Sequence, residues 1–144
     1  MRYFYWCISF VHNKSDLKEV EILSIKTEKY LSQLHIENMK SVIENIMDEN
    51  IFNPQLSVDF MAKKAFISTS FLYRCCVYNF GKAPSDYISD SKLKKACEMI
   101  MSGGFTLCEI SNNLNFCSQA YFSARFKKKY GISPKDYRFL KLKE

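Results

Sequence analysis

One corner occurs twice in this chain. Phe80-Gly81-x-x-Pro84-x-x-Tyr87 returns fifty residues later as Tyr130-Gly131-x-x-Pro134-x-x-Tyr137. A glycine at the end of a helical run accepts the left-handed conformation without a Cβ penalty. A proline three residues on is pre-set for the first turn of another helix. Each copy therefore stops one helix and starts the next. The repeat also reaches upstream: Met61/Ile110, Ala65/Leu114 and Ile67/Phe116 are related by 49, and Leu72/Phe122 by 50. The one-residue difference falls in a short turn between two helices. Two short helices around a three- or four-residue turn make a helix-turn-helix. A registered pair of them constrains the fold far more than one αα-hairpin does.

Local signals place the remaining elements. Apolar residues at helical spacing, Tyr30, Leu31, Leu34, Met39, Val42, Ile43, Ile46, Met47 and Ile51, predict one or two helices from Thr27 to the stop at Asn53 and Pro54. A linker or orphaned element is expected before Thr27. Ser57 is expected to cap a helix carrying Val58, Met61, Ala62 and Ala65, and the serines of Ile67–Ser70 the next, with Leu72, Cys76 and Phe80 inward. A long helix then runs from Pro84 through Ile88, Leu93, Ala96, Cys97 and Ile100 to Gly103. In the second copy, Thr106 and Glu109 have capping-box spacing. Leu107, Ile110 and Leu114 form the buried face, and Asn115 is suited to positive φ in the turn. Ser118 caps the following helix, whose stripe Phe122, Phe126 and Tyr130, with Phe116, is expected to be core. The expected fold is all-α, about seven helices, with tandem helix-turn-helix subdomains joined by a long linker helix. Residues 1–37 are expected to be an N-terminal segment or linker left from an upstream domain. Residues 38–144 form the main domain, with helix-turn-helix units at about 57–80 and 106–130 and the linker helix at about 84–102.

Charge separates the two parts. The chain carries +6. Up to Ile51 six basic residues face eight acidic ones, net −2, and from Phe52 fifteen face seven, net +8. A cationic excess in one half suits a polyanionic partner. No two of the six cysteines have zinc-knuckle or redox-pair spacing, so they are expected to be small, reduced core residues. No paired carboxylates, phosphate loop or activated nucleophile points to an enzyme. The apolar run Tyr3–Val11 is about half of what a membrane helix needs. It is expected to be a strand, a remnant of an upstream domain or the product of a poorly chosen start codon, rather than a signal peptide.

The stretch Leu56 to Leu140 resembles the DNA-binding domain of the AraC/XylS transcription regulators, above all in "CEISNNLNFCSQAYFSARFKKKYGISPKDYR", Cys108 to Arg138. The wording is closest to the version that serves as output domain of hybrid two-component regulators. The resemblance implies a cytoplasmic, nucleoid-associated regulator of transcription without a cofactor. Its recognition helices would enter successive major-groove segments of double-stranded DNA, about 34 Å apart. Further partners would be RNA polymerase, a second copy or an upstream sensor domain.

The expected base-reading residues are Thr69, Ser70, Tyr73 and Arg74 in the first recognition helix and Ser118, Gln119, Ala120 and Ser123 in the second. Arginine suits guanine O6/N7 and glutamine suits adenine N6/N7. Lys92, Arg125, Lys127, Lys128, Lys129, Lys135 and Arg138 are expected to hold phosphates, fixing register without reading sequence. The first copy departs from the family pattern. Cys75 and Val77 stand where basic residues are frequent, Phe66 where glycine is common, and Ser89 and Ser91 where the linker helix often has arginine. The alternative reading is a truncated family member that acts as a protein-interaction or dimerisation module and binds DNA weakly.

Overall fold

Between Lys14 and Asn50 the sequence has neither glycine nor proline. The structure, a computed structural model described over residues 14–141, folds this stretch as one helix, α1 (Lys14–Asn50). The expected linker before Thr27 is therefore helical. The reason is local: Thr27 Oγ1 donates to the Leu23 carbonyl at 2.7 Å, and Ser24 and Ser32 donate to Glu21 and Lys29 at 2.8 Å. Hydroxyls bonded back to their own helix do not terminate it. The expected apolar face of this region divides as well. Tyr30, Leu31 and Leu34 are exposed, whereas Met39, Ile43, Ile46, Met47 and Ile51 are buried. The chain forms two compact units whose boundary falls inside α1, after Asn38. The apolar run Tyr3–Val11 and Cys7 lie outside the described residues.

The helix stop after Asn50 uses Asn53, whose Oδ1 accepts from the Gln55 amide at 2.9 Å, an Asx turn of the type that Asn-Pro favours. Ser57 then caps α2 (Val58–Lys64), accepting from the Phe60 amide. Ser68 caps α3 (Thr69–Phe80), which ends on Gly81 at φ 68°. Pro84 opens α4 (Pro84–Ser102), which ends on Gly103 at φ 72°. Thr106 and Glu109 close both bonds of the capping box on α5 (Leu107–Asn113). The backbone and side-chain donors of Thr106 hold the Glu109 carboxyl below its ordinary range. Ser118 caps α6 (Gln119–Tyr130), Gly131 ends it at φ 80°, and α7 (Pro134–Lys141) follows.

The two helix-turn-helix units agree bond for bond in their turns. In the first, the Ala65 amide donates to Met61 and the Ile67 amide to Ala62; in the second, Leu114 donates to Ile110 and Phe116 to Ser111. Ser111, fully buried and with no partner for its hydroxyl among the described residues, stands where the first copy has Ala62. The left-handed turn residue is Phe66 at φ 56° in one copy and Asn115 at φ 54° in the other. Asn115 suits this conformation, and its side-chain amide also donates to the Phe52 carbonyl at 2.9 Å. Phe66 suits it poorly, since a bulky residue at positive φ is strained by about 1–2 kcal/mol. It is also 95% exposed, so its ring gains no burial in return. Phe66→Gly is accordingly expected to stabilise the chain by about 0.5–1 kcal/mol, after allowing for glycine's greater unfolded-state entropy. Thermal unfolding should show a midpoint a few degrees higher.

The core of the main unit joins the end of α1 to Leu56, Met61, Leu72, Leu93, Ala96, Ile100, Ile110, Leu114, Phe122 and Phe126, all buried. The expected aromatic stripe is core: Phe122 and Phe126 are fully buried, with Phe116 and Tyr130 half-buried beside them. Among the cysteines, Cys75 and Cys76 are buried as expected, and burial pushes both thiols up, Cys76 to about 11. Cys97 is half-buried, and Cys108 and Cys117 are exposed, contrary to the core expectation. Cys108 lies on the outer face of α5 and Cys117 in the turn before α6, positions that small size alone does not decide. No helix among the described residues is long and apolar enough to cross a membrane.

Candidate nucleic-acid interface

Because Leu72, Cys75 and Cys76 point inward, α3 leaves its opposite face open. Thr69, Ser70, Tyr73, Arg74 and Val77 are all exposed there. The first four line one side of a shallow depression completed by Val58, Ala83, Pro84 and Ser85. The Arg74 guanidinium lies 5.8 Å from the Phe71 ring centroid, within range of a cation–π contact that keeps the head group at the surface. Cys75 does not belong to this face. It is fully buried on the inner side of α3.

In α6 the inward residues are Phe122 and Phe126. Ser118, Gln119, Ala120 and Ala124 are exposed and Ser123 is half-buried. The side chains at 120, 123 and 124, beside Gln119, are small. Tyr121, 47% exposed in the first turn of α6, shares this end of the helix. Aromatic periodicity does not single it out, because Phe122, Phe126 and Tyr130 beside it are core-facing. Its spacing of three from Ser118 was the available signal.

The seven expected phosphate contacts separate into two groups. Lys127, Lys128 and Lys135 are exposed and make no ion pair among the described residues. The other four are engaged within the chain. Arg125 donates to Ser89 Oγ at 3.0 Å and lies 3.9 Å from Asp86. Lys129 Nζ lies 2.9 Å from Asp90 Oδ1. Arg138 donates to the Phe105 carbonyl at 2.6 Å. Lys92 is half-buried with its Nζ 5.9 Å from the Phe116 ring centroid, and desolvation pulls its ammonium below the ordinary lysine range.

A family model described as a helix-turn-helix domain matches residues 61–139, more than half of the chain. The chain belongs to the AraC/XylS helix-turn-helix family. Among solved structures, the C-terminal domain of the two-component response regulator yesN from Fusobacterium nucleatum is 31% identical, with a TM-score of 0.64 over 70% of this chain and 98% of that one. The DNA-binding domain of AdpA, a global transcriptional factor solved with a target DNA, shares the fold at 20% identity, with a TM-score of 0.64 over 69% of this chain and 89% of that one. The Msm operon regulatory protein of Streptococcus mutans is 23% identical over 122 residues, which are 85% of this chain and 42% of that protein. The AraC/XylS domain here thus spans about two fifths of that curated relative.

Proposed function

We propose that this AraC/XylS chain binds promoter DNA site-specifically and regulates transcription, with α3 and α6 reading bases in successive major-groove segments. The observation that carries this reading is the duplication itself. Two turns with the same hydrogen bonds each present a capped helix whose inner face is sealed by the core and whose outer face exposes hydrogen-bonding side chains, Thr69, Ser70 and Arg74 in one and Ser118 and Gln119 in the other. An α-helix fits the major groove, and side chains near its N-terminus can reach base edges there. Thr69, Ser70, Tyr73 and Arg74 would read one half-site, and Ser118, Gln119, Ala120 and Ser123 the other. RNA polymerase, a second copy or an upstream sensor domain would connect binding to a signal.

Lys127, Lys128 and Lys135 supply the phosphate contacts. They sit at the end of α6 and the start of α7, where the DNA backbone passes when α6 occupies the groove. A lysine on a phosphate releases counterions without discriminating among sequences. Lys128→Ala is therefore expected to weaken binding similarly for specific and scrambled duplexes, and to reduce the slope of log affinity against log salt by about 1. Fluorescence anisotropy at several salt concentrations tests the proposal. Salt-dependent binding that prefers the specific duplex supports it, and binding indifferent to both salt and sequence refutes it.

A further inference from the structure

Resting on that reading, we infer that Asp90 is a positioning residue that fixes the spacing between the two half-sites, by tying the end of the first helix-turn-helix to the second recognition helix. Asp90 lies on α4 and divides its carboxylate between two lysines. Oδ2 takes Lys82 Nζ at 2.6 Å, and Oδ1 takes Lys129 Nζ at 2.9 Å. Lys82 belongs to the loop that follows α3, and Lys129 to the last turn of α6. Ser89, next to Asp90, and Asp86, one turn earlier on α4, meet Arg125, four residues before Lys129 on α6. Two residues four apart on α6 thus meet α4 side chains that span the turn from Asp86 to Asp90, so the seam runs along both helices. It borders a cleft of about 300 Å³.

The packing explains why this seam sets geometry. α4 packs closely on α3, α5 and α7, while α6 packs on α5 and α7. Arg125 and Lys129 reach from α6 to α4 directly, beside Tyr130, whose side chain is hydrogen-bonded with Cys97 on α4. The three charged groups are each about one-third exposed, and a shared carboxylate between two partly covered ammonium groups is a network rather than an isolated surface pair. Burial alone would raise the Asp90 carboxyl, but the hydrogen bonds and charges of Lys129 and Lys82 outweigh it and hold it low. The site also belongs to the junction and not to the repeat. Positions 132 and 140, equivalent to Lys82 and Asp90, are Ile132 and Leu140.

Two modules on a stiff connection gain affinity for a target whose span matches, and lose that gain when the connection loosens. Wild-type protein should therefore favour one half-site spacing sharply. Asp90→Asn should bind the optimal duplex about tenfold more weakly, bind a single half-site as the wild type does, and tolerate spacers one or two base pairs longer or shorter. Asp90→Glu should recover part of the preference. Lys129→Gln should flatten the spacing profile and leave the salt slope unchanged, unlike Lys128→Ala. A second measurement needs no DNA: spin labels on Tyr73→Cys and Tyr121→Cys, in the full chain with Cys7, Cys97, Cys108 and Cys117 replaced by serine. Its distance distribution should be narrow, and should broaden when Asp90→Asn is added. An unchanged distribution, an unchanged spacing profile, or equal loss on half-site and full duplexes would overturn the inference. Broadening in a protein with no sequence preference would uphold the positioning role while refuting the promoter-binding reading.

Discussion

Phe126→Ala is expected to destabilise the main unit by about 3–5 kcal/mol, the largest effect of any single change considered. Phe126 is fully buried, and three rings close around it: Phe122 at 5.8 Å and Tyr137 at 5.4 Å, both edge-on, and Tyr130 at 4.6 Å. Phe122 and Tyr130 lie on α6 itself and Tyr137 on α7, so the ring joins the recognition helix to the helix after the repeated corner. Stiff aromatic neighbours collapse poorly into the space left behind, which puts the cost toward the upper end. A small domain has about 5–15 kcal/mol of stability in all. Urea unfolding should show a midpoint displaced well below the wild type, with α6 and α7 amides losing most protection from hydrogen exchange. Loss below 1 kcal/mol would mean that α6 is held by its polar seam with α4 and not by the aromatic stripe.

Arg74→Ala should leave the fold intact and remove about 1–3 kcal/mol of discrimination at one base. That corresponds to a change between about 5- and 150-fold in the ratio of affinities for the preferred duplex and its single-base variant. Arg74 is exposed on α3, its guanidinium 5.8 Å from the Phe71 ring centroid, so its truncation leaves no buried cavity. Gln119→Ala should produce an effect of the same kind in the other half-site. Because the residues lie on different recognition helices, the two losses should add to within about 0.5 kcal/mol. Affinities measured against duplexes substituted one base at a time decide the matter. If Arg74→Ala weakens every duplex equally, the arginine holds a phosphate and α3 reads through Thr69, Ser70 and Tyr73.

The caps, stops and repeat register were legible because each depends on residues within one turn of one another. Ser57, Thr106 with Glu109, Ser118, Gly81 and Gly131 each satisfy or release backbone groups that a short window of sequence identifies. The start of α1 was hidden because Thr27 and two serines, residues that cap helices elsewhere, turn their hydroxyls back to preceding carbonyls. The exposure of Tyr30, Leu31 and Leu34 was hidden for another reason. Periodicity shows which residues share a face but not what covers that face.

The charged residues illustrate the same limit more sharply. In sequence, Lys127, Lys128 and Lys129 are one run, and Arg125 and Arg138 flank it. In the fold, Lys129 and Arg125 find acceptors 39 and 36 residues away on α4, and Arg138 finds one 33 residues away at Phe105. A local window carries no record of such partners. Cys108 and Cys117 illustrate the same limit: small size suits a core residue, but composition carries no record of which positions the fold leaves exposed.

The central claim, that two recognition helices read DNA together, is tested most directly by selection. The full chain is titrated by anisotropy against a randomised duplex pool at two salt concentrations, and the bound fraction is sequenced. Enrichment of a two-part motif, its halves about one helical turn or 34 Å apart, is the expected result. A single enriched half-site would remove one recognition helix from the reading surface, and no enrichment at either salt concentration would contradict the account.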